Sequence, residues 1–142
     1  MDGNIPYVAF DLDGTLVTYD EYRGPDHIGK PILPTIGRVK QLLAKGTHVK
    51  IMTARVASDN PIAARSREIV ANWCELYIGR VLPVTAEKGY TMVEQWDDRA
   101  VQVIPNSGIP MKDLLQRALQ ILADDPREEA ISFIKLCSEL GL

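Results

Sequence analysis

Cysteine is scarce in this chain. Among 142 residues there are two, Cys74 and Cys137, and neither stands in a C-x-x-C pair or beside a histidine. That spacing argues against a disulfide framework or a cysteine metal site, and both read as reduced, buried apolar side chains on amphipathic helices. Long hydrophobic runs are missing too: none approaches the ~18 residues of a membrane span. Met1 to Phe10 lacks the basic-then-apolar layout of a secretory leader, so the expected location is the cytoplasm. Basic charge is not in excess, since 16 Lys and Arg against 19 Asp and Glu give a net charge of −3 and a pI near 5.4. With aromatic residues at 6%, neither a basic stripe nor a stacking platform is available for non-specific nucleic-acid binding. A small anionic substrate remains within reach, because such a site requires only a few local donors.

The rest of the composition is that of a soluble globular chain, 46% hydrophobic and 25% charged, without repeats, low-complexity tracts or a long linker. At 15.8 kDa, folding hides roughly two-thirds of the extended chain's surface, enough for one core and not two. One domain over 1–142 is expected, with a core at 5–108 and C-terminal helices at 110–141.

Tyr7-Val8-Ala9-Phe10 is an unbroken apolar run ending at Asp11, which suits a strand covered on both faces at the centre of a parallel sheet. Ile36, Val39, Leu42 and Leu43 follow at helical spacing, with Thr35 as the expected cap and Gly46 as the stop. Val49 to Met52 reads as the next strand, and Asn60-Pro61 as a helix start with Ile62, Ser66, Ile69, Val70, Trp73 and Leu76 on one face. Val81 to Val84, Met92 to Trp96 and Ala100 to Ile104 are further strand candidates, the last closed by Pro105-Asn106-Ser107-Gly108. The segment from Val17 to Pro34 has no period and reads as a loop. Met111, Leu114, Leu115, Ala118, Leu119 and Leu122 mark an amphipathic helix, and Asp125-Pro126-Arg127-Glu128 is a capping box opening another through Leu140, with Gly141 past its end. These two are expected to form a hairpin, either covering a face of the sheet or serving as a homodimer or partner surface. The whole order predicts an α/β fold, a doubly wound, mainly parallel sheet with right-handed crossovers.

The sharpest local signal is Asp11-Leu12-Asp13-Gly14-Thr15, placed directly after the buried strand. Ligands of open α/β sheets sit just beyond the carboxyl ends of the strands, where both carboxylates leave the core. One intervening residue lets the first aim at a reacting atom while the second stands beside it, and Gly14 allows a bend or a close phosphate. Two acids alone repel a phosphate, so cations and neutral donors must come from elsewhere. Thr53-Ala54-Arg55 ends the second strand, where the hydroxyl and the next N–H can hold a phosphoryl oxygen. Lys88 can neutralise charge between phosphate and carboxylates, with Lys45 and Lys50 as competing candidates. Asp97-Asp98-Arg99 offers hard oxygen ligands that, with Asp11, suit Mg²⁺.

In this order, Asp11-Leu12-Asp13-Gly14-Thr15-Leu16, Thr53, Lys88 and Asp97-Asp98 resemble motifs I to IV of the haloacid dehalogenase superfamily, most of whose members are Mg²⁺-dependent phosphatases. The resemblance spans residues 5–104. It implies a Rossmann-like, three-layer core with minimal or no cap. It also implies that Asp11 attacks phosphorus to form an aspartyl-phosphate, and that Asp13 protonates the leaving oxygen and then activates water. Thr53 and Lys88 would bind the phosphoryl group, together with Leu12, Gly14, Ala54 and Arg55. Asp97 and Asp98 would hold Mg²⁺ with Asp11 and the backbone carbonyl of Asp13.

Family members select substrates mainly through cap insertions, and the segment from Tyr19 to Pro31 is too short for a folded cap. An open site follows, suited to a phosphorylated macromolecule or a small phosphoester; Tyr22, Arg23, His27 and Lys30 are available to contact it. The capless core with an Asp-Asp-Arg turn also resembles the phosphatase half of polynucleotide kinase-phosphatases, which adds a nucleic-acid 3′-phosphatase as an alternative. Two other classes compete. A signalling receiver carries its phosphoacceptor Asp on a later strand, where this chain has Thr53, and a non-catalytic interaction module would use the C-terminal helices.

Overall fold

The structure, a computed structural model, describes residues 4–123 and 127–139. It divides into two compact units, Met1–Asp98 and Arg99–Leu142.

The first unit is built on a four-stranded, all-parallel sheet of order β3-β2-β1-β4. Strand β1 (Tyr7–Phe10) is buried throughout and central, as four consecutive apolar residues demand. It pairs with β2 (His48–Met52) on one side and β4 (Met92–Trp96) on the other. Strand β3 is shorter than expected and shifted: Val84–Thr85 replaces 81–84. Pro83 has no N–H to give to a ladder and lies just before it, although its carbonyl accepts from Ile51. Strand β4 carries Glu94 and Gln95 exposed, and its edge position explains this polar composition.

Helices α1 (Leu33–Ala44) and α2 (Ala63–Tyr77) link β1 to β2 and β2 to β3. Both crossovers step the same way along the sheet, so right-handedness puts both helices on one face. Accordingly Ile36 and Val39 of α1, and Val70, Trp73 and Cys74 of α2, share one core with Val8, Phe10, Val49 and Ile51. This is a Rossmann-like α/β arrangement. Tyr7 and Ala9 face the other way, where the 86–91 connection crosses: the Gly89 amide donates to the Tyr7 hydroxyl at 2.9 Å and the Tyr7 amide to the Thr91 carbonyl at 3.2 Å.

Two helix boundaries differ from expectation. Thr35 does not cap α1; the helix opens at Leu33-Pro34, with the proline in its first turn and Ile32 at the cap, because proline's fixed φ and missing N–H suit that position better. Gly46 ends it with φ +80, its amide donating to Leu43. In α2 the apolar stripe turns toward Cys74, leaving Leu76 73% exposed and Ile62 at the rim.

In the second unit the expected strand at 100–104 does not form. Val101 and Val103 are exposed, and the chain turns back on itself through Pro105–Gly108, with Ile104 N–H donating to Ile109 and only an isolated bridge from Val103 to Pro110. The turn returns the chain onto its own backbone groups and uses them locally. Helices α3 (Met111–Ala123) and α4 (Glu128–Glu139) pack on each other as a hairpin. Asp125, Pro126, Leu140 and Gly141 of the expected capping signals lie outside the described residues. Cys74 is buried and Cys137 half-buried, both as free thiols. Among the described residues no helix is long and apolar enough to cross a membrane.

Candidate active site

Parallel strands deliver their carboxyl ends to one edge, and the acidic residues collect there. The Asp11 amide donates to the carbonyl of Trp96 at 2.8 Å, continuing the β1–β4 ladder by one bond. That bond sets Asp11 beside the residues that follow β4. One carboxylate oxygen from each of Asp11, Asp97 and Asp98 lies within 4.8 Å of the others.

The turn after Asp11 is wound tightly. The carbonyl of Leu12, itself fully buried, accepts from the amides of Thr15, Leu16 and Val17 at 3.3, 2.9 and 3.0 Å, and the Gly14 amide donates to Val17 at 2.8 Å. Gly14 has φ +87, and a methyl group built on it would overlap the Asp98 carboxylate. Glycine is required there for both backbone and space. The Thr15 hydroxyl accepts from the Asp98 amide at 3.1 Å, a link not expected from the sequence; a threonine two residues after the second aspartate of the DxD pair was its available sign.

The Asp97 and Asp98 carboxylates crowd Asp11. The Asp11 carboxyl is pushed up from 3.8 to about 7, first by burial, then by the charge of Asp97 and by contact with Asp98. All three disfavour the anion. A divalent cation reverses this balance, and an all-oxygen donor set of three carboxylates is the chemistry Mg²⁺ takes. The residues present therefore fit the ion that the motif resemblance implies.

Asp13 faces a different partner. Its two oxygens accept from Arg55 Nε at 2.7 Å and Nη2 at 2.8 Å, a bidentate pair in which the arginine side chain is 5% and the aspartate 18% exposed. Arg55 was expected to meet a phosphate; in this structure its fork holds Asp13. Asp13 in turn holds the guanidinium still more firmly in its charged form. Arg55 also reaches the Gly24 carbonyl at 3.5 Å and lies 5.4 Å from the centroid of the Tyr22 ring. Arg65 binds Asp26 at 2.7 Å. Together with the Val17–Pro31 bridge and the bond from Thr18 N–H to the Lys30 carbonyl, these contacts strap the 17–32 loop beside the site. Arg23 is engaged with Asp20 and Glu21 within that loop.

Thr53 ends β2 with its amide on the Thr85 carbonyl at 2.8 Å, and its hydroxyl accepts from the Arg55 amide at 3.3 Å. It is buried, while Ala54, opening the one-turn 3-10 helix Ala54–Val56, is exposed. Lys88 sits in the 86–91 connection, exposed, with no hydrogen bond or ion pair among the described residues. The fold thus joins Asp11 to Asp97 and Asp98, and Asp13 to Arg55 beside Thr53; it does not join Lys88 to either group.

Comparison with protein-family models finds no match, and comparison with curated proteins finds none. Among solved structures the chain is similar to a conserved protein from Bacteroides thetaiotaomicron, at 24% identity over 72% of this chain and 84% of that one, with a TM-score of 0.49.

Proposed function

We propose that this chain is a Mg²⁺-dependent phosphomonoesterase that acts through an aspartyl-phosphate on Asp11, on a haloacid-dehalogenase-like, capless version of the α/β architecture. The observation that carries the reading is the convergence of the Asp11, Asp97 and Asp98 oxygens within 4.8 Å at the carboxyl edge of the central strand. Asp11, Asp97 and Asp98 would hold the ion. When bound, Mg²⁺ supplies positive charge that lets an anionic nucleophile and an anionic substrate share one site.

In the first half-reaction an Asp11 oxygen forms a bond to phosphorus while the bond from phosphorus to the leaving-group oxygen breaks, and that departing oxygen takes a proton from Asp13 and leaves as the alcohol. In the second, water attacks phosphorus, gives its proton to Asp13, and inorganic phosphate leaves Asp11. Two displacements replace one difficult hydrolysis. The Thr53 hydroxyl, which accepts from Arg55 N–H, keeps its own hydrogen to donate to a phosphoryl oxygen. Lys88, which the fold leaves exposed and joined to neither group, would reach the phosphate only after substrate binds.

Arg55 imposes a condition on this cycle. While both Asp13 oxygens accept from the guanidinium, neither is available to pass a proton. Substrate must therefore draw one Arg55 N–H away, and a phosphate oxygen is the acceptor geometrically suited to do so. The same ion pair favours the rival reading of a non-catalytic phosphate-binding module in which Asp13 is locked. Hydrolysis of an aryl phosphate with Mg²⁺, abolished by chelation and by Asp11→Asn, supports the esterase; retained phosphate binding with no turnover on sugar phosphates, nucleotides or 3′-phosphorylated oligonucleotides supports the module.

A further inference from the structure

The opposite edge of the sheet holds a cavity of about 450 Å³. It opens where strands begin rather than end: His48, Val49 and Lys50 come from the start of β2, Ile5 and Tyr7 from the approach to β1, and Arg80 to Pro83 from the approach to β3. The four residues of β1, from Tyr7 in its lining to the end of the strand before Asp11, separate it from the carboxylate cluster by roughly 13 Å at ~3.3 Å per residue.

Its chemistry is the inverse of that cluster. His48, Lys50 and Arg80 line it, and among the described residues no aspartate or glutamate does. In a chain of net charge −3, Arg23, Arg55 and Arg65 each pair with a carboxylate. Lys50 and Arg80 form no ion pair among the described residues. Lys50 is nonetheless held in place, its ammonium 4.2 Å from the centroid of the Tyr7 ring. Tyr7 is 2% exposed, and its hydroxyl is fixed by the Gly89 amide. Ile5, Leu43 and Leu82 supply an apolar wall. A volume in the ligand-pocket range, one apolar wall, and two uncompensated cations with an imidazole match an organic anion bearing more than one negative charge.

We propose that this cavity binds an organic phosphate of mononucleotide size, the phosphate between Lys50, Arg80 and His48 and the apolar body against Ile5, Leu43 and Leu82. This site does not depend on Asp11 being a nucleophile. The probe is adenosine 5′-monophosphate in magnesium-free buffer, followed by amide chemical shifts of the full chain. Shifts are expected at 46–50 and 80–83, with inorganic phosphate and adenosine each binding at least tenfold more weakly than the nucleotide. The double variant Lys50→Gln with Arg80→Ala should weaken the nucleotide at least tenfold. Should that variant fold poorly, Arg80→Glu at an exposed position carries the same expectation. Shifts confined to 11–14 and 53–55, inorganic phosphate binding as tightly as the nucleotide, or affinity unchanged in the variants overturns the proposal.

Discussion

At the scale of single residues, Asp11, Gly14 and Arg55 carry separable roles. Asp11→Asn keeps the shape of the side chain and removes the proposed nucleophile, so turnover should fall by about four orders of magnitude or more with the fold intact; steady-state kinetics beside a circular-dichroism melt separates the two. Gly14→Ala meets both a left-handed backbone and the Asp98 carboxylate. A loss of about 1–3 kcal/mol is expected in urea unfolding, together with weaker Mg²⁺ binding as Asp98 is displaced. Arg55→Ala leaves Asp13 largely buried without its partner and should cost about 3 kcal/mol or more. Arg55→Lys restores charge without the fork, so it should recover stability in part and turnover less. Full activity in Arg55→Lys would show that the bidentate geometry has no part in aiming Asp13.

The elements explain what the chain discloses by pattern and what it does not. Strand β1 was legible because four consecutive apolar residues have few other destinations, and its end placed Asp11 at the sheet's edge. The Asp97-Asp98 turn was legible as an acidic pair after a strand, although the strand's polar residues obscured it until its edge position accounted for them. The Asp13–Arg55 pair was not legible: the partners are 42 residues apart, and their meeting is decided by how β2 docks beside β1. Nor was the failure of 100–104 as a strand, since alternating apolar residues look alike whether or not a neighbour is present to receive them. Thr35 was expected to cap α1, whereas Pro34 fits the first turn and Ile32 stands at the cap. The packing of β1 gives its own test. Phe10 is fully buried and stacks on Trp96 with centroids 5.2 Å apart, so Phe10→Leu should destabilise by about 1–2 kcal/mol and also loosen the β4 end that carries Asp97. Equilibrium unfolding and Mg²⁺ titration should report both effects in the same variant.

For the whole molecule, the acidic cluster couples stability, pH and metal. Asp11 has its carboxyl raised from 3.8 to about 7 in the folded chain, so between these values the native state binds more protons than the unfolded one. Stability of the metal-free protein therefore falls as pH rises across that window. Mg²⁺ requires the anions and releases the proton, so its stabilising effect grows over the same range. Melting temperatures with chelator and with Mg²⁺ should lie close together near pH ~5 and diverge toward pH ~8. A constant gap across pH would show that the cluster does not bind the ion through Asp11.

The most direct measurement is chemical: react the protein with an aryl phosphate and Mg²⁺, quench in acid within the first turnovers, and locate the phosphoryl group by peptide mass spectrometry. The account predicts one phosphoryl group on Asp11, absent in Asp11→Asn and absent with chelator. Rapid hydrolysis with no phosphoryl group on the chain, or with the group on any other residue, would contradict it.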